Sequence, residues 1–368
     1  MPASSTASLF RPFTLNGLRL RNRVAMAPMT RKFSPGGVPG ADVAEYYRRR
    51  AAGGVALVFT EGAAVAHPAA VYDPAVPSLH GTDAMAGWRR VVDAVHAEGA
   101  AIFAQLWHVG AFRKPGDGPN PDAPPLSPSG FYDRTARVGE PMTQADIDAA
   151  VAAYGHSAAQ AMDAGFDGIE VHAAHGYLID QFLWDGTNRR TDAYNGTQVQ
   201  RTRFAAEVIA ECRRRTGPAF PLSVRFSQWK QQDFTVRMAD TPAALAALLA
   251  PLVEAGADLL HCSTRRFWEP EFPGSALTLA GWVKHLTGRP TVAVGSVGLA
   301  RDTSASFGGE TAEVAALDEL EGRMGRDEFD LVAVGRALLG DPDWLAKVRD
   351  NQAGALLAFA PAALKVLA

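Results

Sequence analysis

The 368-residue sequence predicts an α/β protein built as a (β/α)8 barrel of the TIM type. Three observations carry that reading: eight short apolar or β-branched runs recur, helical patterns lie between them, and polar residues collect where the runs end. The runs cover residues 24–28, 55–60, 101–106, 168–172, 221–226, 259–263, 291–295 and 331–335. Strands alternating with helices make parallel βαβ units, and near-continuous hydrophobicity suits strands buried on both faces. An open doubly wound sheet is the runner-up, but no Gly-x-Gly-x-x-Gly turn follows the early runs. A barrel with insertions accommodates residues 1–368 as a single domain.

Ahead of the first run, Phe13-Thr14-Leu15 and Leu18-Arg19-Leu20 flank Asn16-Gly17, a dipeptide that favours a tight hairpin turn. That hairpin is expected to plug the bottom of the barrel. After the third run, residues 114–141 are rich in Pro, Gly and Asp and too long for an ordinary βα loop, which predicts a capping insertion. Residues 144–164 and 198–215 read as helices on either side of the fourth strand. The basic triplets Arg48-Arg49-Arg50 and Arg213-Arg214-Arg215 read as solvated helix faces.

Composition narrows the partners. A net charge of −3 gives no reason to expect nucleic acid or an anionic membrane surface. No run of about 18 apolar residues is present. Residues 1–10 lack the basic start and apolar core of a secretory signal. Cys212 and Cys262, far apart, build neither a disulfide framework nor an iron–sulfur site, which fits a cytoplasmic protein.

In such barrels the chemistry lies at the carboxyl ends of the strands. The fourth run ends in His172-Ala173-Ala174-His175-Gly176-Tyr177, two imidazoles and a phenol in six residues. The pair resembles half a zinc site, but a catalytic zinc needs about three protein ligands and no third announces itself. Core histidines are the other plain reading. As ligand contacts, the imidazoles polarise an oxygen while Tyr177 delivers a proton. The first run ends Pro28-Met29-Thr30, offering a hydroxyl at the mouth, and after the second Gly62 admits a flat ligand close to the backbone. Gln105, near Trp107, carries an amide that matches a heterocycle edge. Arg225 lies inside an apolar strand, which is costly unless a charge or ligand satisfies it. Gly295, Ser296, Gly335 and Arg336 follow the seventh and eighth runs, where this fold usually binds phosphate. A phosphorylated planar heterocycle fits the set, and flavin mononucleotide (FMN) is such a molecule; a phosphosugar explains the phosphate contacts but not the amide and hydroxyl opposite.

These residues and their neighbours resemble the Old Yellow Enzyme family of flavin-dependent ene-reductases. The resemblance runs through Leu9-Phe10-Arg11-Pro12, Arg21-Asn22-Arg23, Ala27-Pro28-Met29-Thr30-Arg31 and Gln105-Leu106-Trp107-His108. It continues through His172 to Leu178, Asn188-Arg189-Arg190-Thr191-Asp192-Ala193-Tyr194 and Asp330 to Arg336. It implies an FMN enzyme that takes hydride from NADPH or NADH and reduces a carbon–carbon double bond activated by a carbonyl or nitro group. By resemblance, Pro28, Met29 and Thr30 meet the flavin near N5, Gln105 binds its pyrimidine edge, and Arg225 stabilises charge near N1. Gly62, Gly295, Ser296, Gly335 and Arg336 supply backbone and phosphate contacts. His172 and His175 grip the substrate oxygen, His172 also bordering the cofactor; Tyr177 is the proton donor and Trp107 lines the pocket. The partner implied is a small activated alkene, with no metal; self-association into a homo-oligomer is left open. Alternatives are a flavin dienoyl reductase, whose relatives carry a cysteine cluster and extra domains, and a flavin-binding redox sensor without alkene turnover. The chain departs from the family at Asn195-Gly196, at residues 265–270 and at the C-terminal stretch 356–368, which lacks an aromatic tail motif.

Overall fold

The structure, a computed structural model, describes residues 7–302 and 308–367. Strands β1 (Phe13–Leu15) and β2 (Leu18–Leu20) form an antiparallel hairpin. Its turn places Asn16 at φ 47° and Gly17 at φ 84°. Two consecutive positive φ values are what Asn-Gly tolerates and most residues do not.

The eight predicted runs coincide with eight strands: β3 (Val24–Met26), β4 (Leu57–Ala64), β5 (Ala101–Trp107), β6 (Gly168–His175), β7 (Leu222–Lys230), β8 (Leu259–Ser263), β9 (Thr291–Val294) and β10 (Leu331–Val334). All pair in parallel with their sequence neighbours, and β10 pairs with β3 to close the barrel. Helices surround it: α1 (Ala41–Ala52), α2 (Thr82–Ala97), α3 (Gln144–Asp163), α4 (Leu178–Leu183), α5 (Gln198–Arg201), α6 (Arg203–Thr216), α7 (Pro242–Glu254), α8 (Leu279–Thr287), α9 (Asp318–Gly325), α10 (Arg336–Gly340) and α11 (Trp344–Arg349). Thr143 starts α3 with a reciprocal capping box to Asp146. The single helix predicted over 198–215 is two, α5 and α6, meeting at Thr202.

Four strands, β4, β5, β6 and β7, run past their predicted ends. Strands β4 and β6 do so through register shifts, between Phe59 and Gly62 and between Ala173 and His175. Bulges interrupt the period-2 pattern that marks a strand in sequence and re-aim side chains at a barrel rim.

The hairpin side chains Leu15 and Leu20 pack with Ala25, Leu57, Phe59, Phe103, Leu259, Val292 and Leu331 in one buried cluster. That cluster fills the barrel from below. A second, larger core lies between strands and helices.

The basic triplets divide. Arg48, Arg214 and Arg215 are on the surface, paired with Glu45 or Glu211. Arg50 corrects the sequence reading: it is fully buried, donates to the Leu338 and Tyr46 carbonyls, and stacks over the Tyr46 ring. Arg213 is also largely covered, bonding Asp258 and three carbonyls at strand entrances. Apart from the Tyr46 carbonyl, which lies inside α1, these guanidinium groups satisfy carbonyls that helix and loop ends leave open. No helix of the described residues is long and apolar enough to cross a membrane.

Candidate active site

Side chains on one face of a strand recur every second residue. The inward series is Ala101, Phe103, Gln105, Trp107 on β5 and Gly168, Glu170, His172 on β6. On β7 it includes Ser223 and Arg225, and on β8 Leu259, His261 and Ser263. The barrel interior is therefore apolar below and polar above. In the polar layer Glu170 accepts hydrogen bonds from Gln105 Nε2 (2.8 Å), Ser223 Oγ (2.9 Å) and His261 Nδ1 (2.7 Å). Arg225, 7% exposed, reaches the Ser263 hydroxyl at 3.3 Å, and its Nε makes no hydrogen bond. A buried guanidinium with an unused donor leaves a place for an acceptor from a ligand.

Above this layer the His-Ala-Ala-His-Gly-Tyr run comes together. The rings of His172 and His175 lie 5.1 Å apart at 84°, and His172 and Tyr177 lie 5.0 Å apart at 87°. The left-handed backbone of His175, at φ 65° where the register with β7 shifts, turns it back beside His172. The Ala174 N–H points at His172 Nδ1 (3.3 Å), so the neutral ring carries its proton on Nε2. Burial, then the Arg225 charge, pushes the His172 pKa down to about 3, and the same two causes lower His175. Both imidazoles are neutral donors at pH 7.

Tyr177 packs edge-on against Trp107 at 5.0 Å and against Phe112 at 4.8 Å. Burial raises its pKa, keeping the phenol protonated. Gln231 Nε2 donates to the Tyr177 oxygen (3.0 Å), which leaves the phenolic proton to another acceptor. The turn between the second histidine and the tyrosine is fixed from behind. Gly176 N–H donates to Asp180 (2.7 Å), itself paired with Lys230 (2.6 Å) in full burial. The 114–141 insertion reaches this wall through Tyr132, whose ring meets Phe112 at 5.0 Å.

Around the rim, Pro28 is buried, Met29 partly so and Thr30 exposed. The Glu61 carboxylate accepts the N–H groups of Arg31 (2.8 Å) and Lys32 (3.0 Å), which pins the turn carrying Thr30. Gly62 is required here by a pocket side chain. A Cβ there would come within 2.8 Å of the Trp107 indole. Gly295 (φ 144°) and Ser296 (φ 53°) form the turn after β9. Arg336, just past Gly335, donates to Ser296 Oγ (3.1 Å) and to the Asp302 carbonyl (2.9 Å). The four sequence-predicted phosphate residues thus come from adjacent strand ends.

This donor set suits FMN: an exposed hydroxyl, an amide edge, a buried guanidinium with a spare N–H, and glycine turns beside an arginine. Sequence reasoning missed Glu170, Ser223, His261 and Ser263, although each is polar at an inward position of an apolar strand, the signal that singled out Arg225. Gln231 and Glu61 carried no such signal.

The NADH:flavin oxidoreductase / NADH oxidase family matches residues 8–354. The chain is 43% identical over 215 residues to 12-oxophytodienoate reductase 7 of Oryza sativa subsp. japonica, covering 55% of this chain and 54% of that protein. It is 33% identical over 356 residues to NADH oxidase of Thermoanaerobacter brockii, covering 94% of this chain and 51% of that protein. The chain thus spans about half the length of these two curated relatives. The structure of morphinone reductase in complex with tetrahydroNAD superposes with a TM-score of 0.78 at 29% identity, covering 97% of this chain and 93% of that one. The chain belongs to the NADH:flavin oxidoreductase / NADH oxidase family, the family of the Old Yellow Enzymes.

Proposed function

We propose that the protein is an FMN-dependent NAD(P)H oxidoreductase that reduces carbon–carbon double bonds conjugated to a carbonyl or nitro group. The observation that carries this reading is two neutral imidazoles and a protonated phenol within about one ring diameter, above a buried polar layer that suits a flavin. Gln105 and Thr30 would hold the ring edges, Arg225 would face the pole that gains charge, and Gly295, Ser296, Gly335 and Arg336 would hold the phosphate. When bound, FMN supplies a hydride relay between the nicotinamide and the alkene.

The protein's own groups account for the rest. His172 and His175 donate to the substrate oxygen, drawing electron density away from the alkene where charge develops. One such donor is worth about 2.7–4 kcal/mol in the transition state of other enzymes. Neutral imidazoles serve better than imidazolium here, because they need no counter-charge in a buried site. Tyr177 holds its proton until the alpha carbon becomes basic, and Gln231 keeps the phenol oriented for that transfer. Trp107 closes the wall beside it and excludes water. The nicotinamide enters the same pocket, as the tetrahydroNAD complex of morphinone reductase supports. Cys212 and Cys262 are free and buried, which suits the reducing cytoplasm where we place the protein.

The test is direct. Purified protein should be yellow with one noncovalent FMN per chain, and should oxidise NADH or NADPH when given cyclohexenone. A colourless protein that cannot be reconstituted with FMN overturns the reading.

A further inference from the structure

We infer that Glu170 is a positioning residue that fixes the amide of Gln105 and balances the charge of Arg225, so that one defined edge is presented to the flavin pyrimidine. This inference rests on the proposed FMN site and names a residue beneath it that the family roles given above leave out.

Gln105 and Glu170 are register partners on β5 and β6, both buried and both facing inward. A carboxylate only accepts hydrogen bonds, so each of its three partners must point a proton at it. Gln105 therefore turns its NH2 group to Glu170, Ser223 uses its hydroxyl proton, and His261 carries its proton on Nδ1. The amide carbonyl of Gln105 then faces away from Glu170 and makes no hydrogen bond with the described residues. An acceptor with the second amide N–H beside it is complementary to an imide edge, an N–H next to a carbonyl, as on the flavin pyrimidine ring. With a neutral partner at position 170, the amide gains the freedom to flip and present its NH2 group to that imide N–H, which repels it.

The second consequence is electrostatic. Glu170 stays ionised: burial opposes the charge, but the hydrogen bonds it accepts from His261 and Gln105 and the nearby Arg225 charge favour it. His261 is held neutral by burial. Glu170 and Arg225 thus form a nearly neutral unit under the ring. Without Glu170, the Arg225 charge would act undiminished on reduced flavin, which gains negative charge.

The experiment uses Glu170→Gln, which keeps the volume and removes the charge, and Glu170→Asp, which keeps the charge but withdraws it from Gln105. Gln105→Ala and the double variant Gln105→Ala/Glu170→Gln complete a cycle. Apoprotein is titrated with FMN, and midpoint potentials are measured on the loaded proteins. Each Glu170 variant should bind FMN about tenfold more weakly, the scale of one hydrogen bond to a charged group. The double variant should lose no more than Gln105→Ala alone, because Glu170 acts through that amide. The midpoint potential should rise in Glu170→Gln and stay near the wild-type value in Glu170→Asp. Losses that add in the double variant, or a potential that does not rise in Glu170→Gln, overturn the proposal. If Glu170→Gln does not fold, Glu170→Asp combined with Gln105→Ala decides it by the same non-additivity. Wild-type protein that fails to bind FMN would instead overturn the cofactor reading itself.

Discussion

The hydroxyl of Ser263 lies 2.7 Å from His175 Nε2 and accepts a hydrogen bond from Arg225 Nη2 at 3.3 Å. The guanidinium only donates, so the serine accepts from it. The hydroxyl proton then has one acceptor in reach among the described residues, His175 Nε2. The neutral imidazole is left with its proton on Nδ1, the nitrogen free to meet a substrate. Arg225, Ser263 and His175 thus form a relay that sets a tautomer.

Replacing Ser263 by Ala should therefore leave the His175 tautomer unset while the fold and FMN binding survive. We expect the oxidative half-reaction with an enone to slow by about fivefold to tenfold, the worth of one net hydrogen bond. Rapid mixing of reduced enzyme with cyclohexenone measures it, and an unchanged rate would exclude the relay.

Removing an imidazole should cost more than unsetting one. His172→Ala and His175→Ala are each expected to slow enone reduction by about two orders of magnitude. Some loss in flavin reduction by NAD(P)H should accompany it, since in the proposed reading the nicotinamide amide would meet the same pair. Enone kinetics equal to wild type in both variants would refute the roles given to them.

Acid should reveal the buried histidine without touching turnover near neutrality. His172 titrates at about 3 in the fold and near 6.5 when unfolded. Between those values the unfolded chain binds the extra proton, so stability is complete above pH 6.5 and is lost as pH falls toward 3. Thermal melts from pH 7 to pH 4 should fall more steeply for wild type than for His172→Asn, which cannot titrate. Parallel curves would show that the imidazole is not held neutral.

The phosphate end is tested separately. Arg336→Ala should weaken FMN retention roughly tenfold to a hundredfold, as for loss of hydrogen bonds to a charged group. The rate of hydride transfer in saturated enzyme should change little. Equal FMN affinity in both proteins, measured by gel filtration and fluorescence of released flavin, would remove Arg336 from the site.

What was legible in the sequence follows from where the physics is local. Asn16-Gly17 announced its hairpin because the turn depends on those two residues alone. The eight strands showed because burial on both faces demands unbroken apolar runs. His172, His175 and Tyr177 stood out because they follow one another. The register shift at His175 was invisible, since it depends on pairing with β7. Arg50 looked like surface because nothing in its helix shows that the Leu338 carbonyl waits above it. Glu170 and His261 were missed for a related reason: their partners are 91 residues apart, and only barrel closure makes them neighbours.

Tyr177→Phe should separate proton delivery from hydride transfer. The ring packing against Trp107 and Phe112 is kept, so the fold and FMN binding should persist. The hydroxyl and its bond from Gln231 are lost. A general acid is worth about 10²–10⁴-fold where proton transfer limits the rate. An enone gains hydride at its beta carbon and must then be protonated at the alpha carbon, so its turnover should fall within that range. A nitroalkene yields a nitronate that is stable enough to leave and take its proton from water. Its rate, followed by flavin absorbance in stopped flow, should fall far less. Gln231→Leu, which keeps the phenol but removes its orienting donor, should show the same selectivity at smaller size. Undiminished enone rates in Tyr177→Phe, with the same deuterium stereochemistry at the alpha carbon, would exclude Tyr177 as the acid.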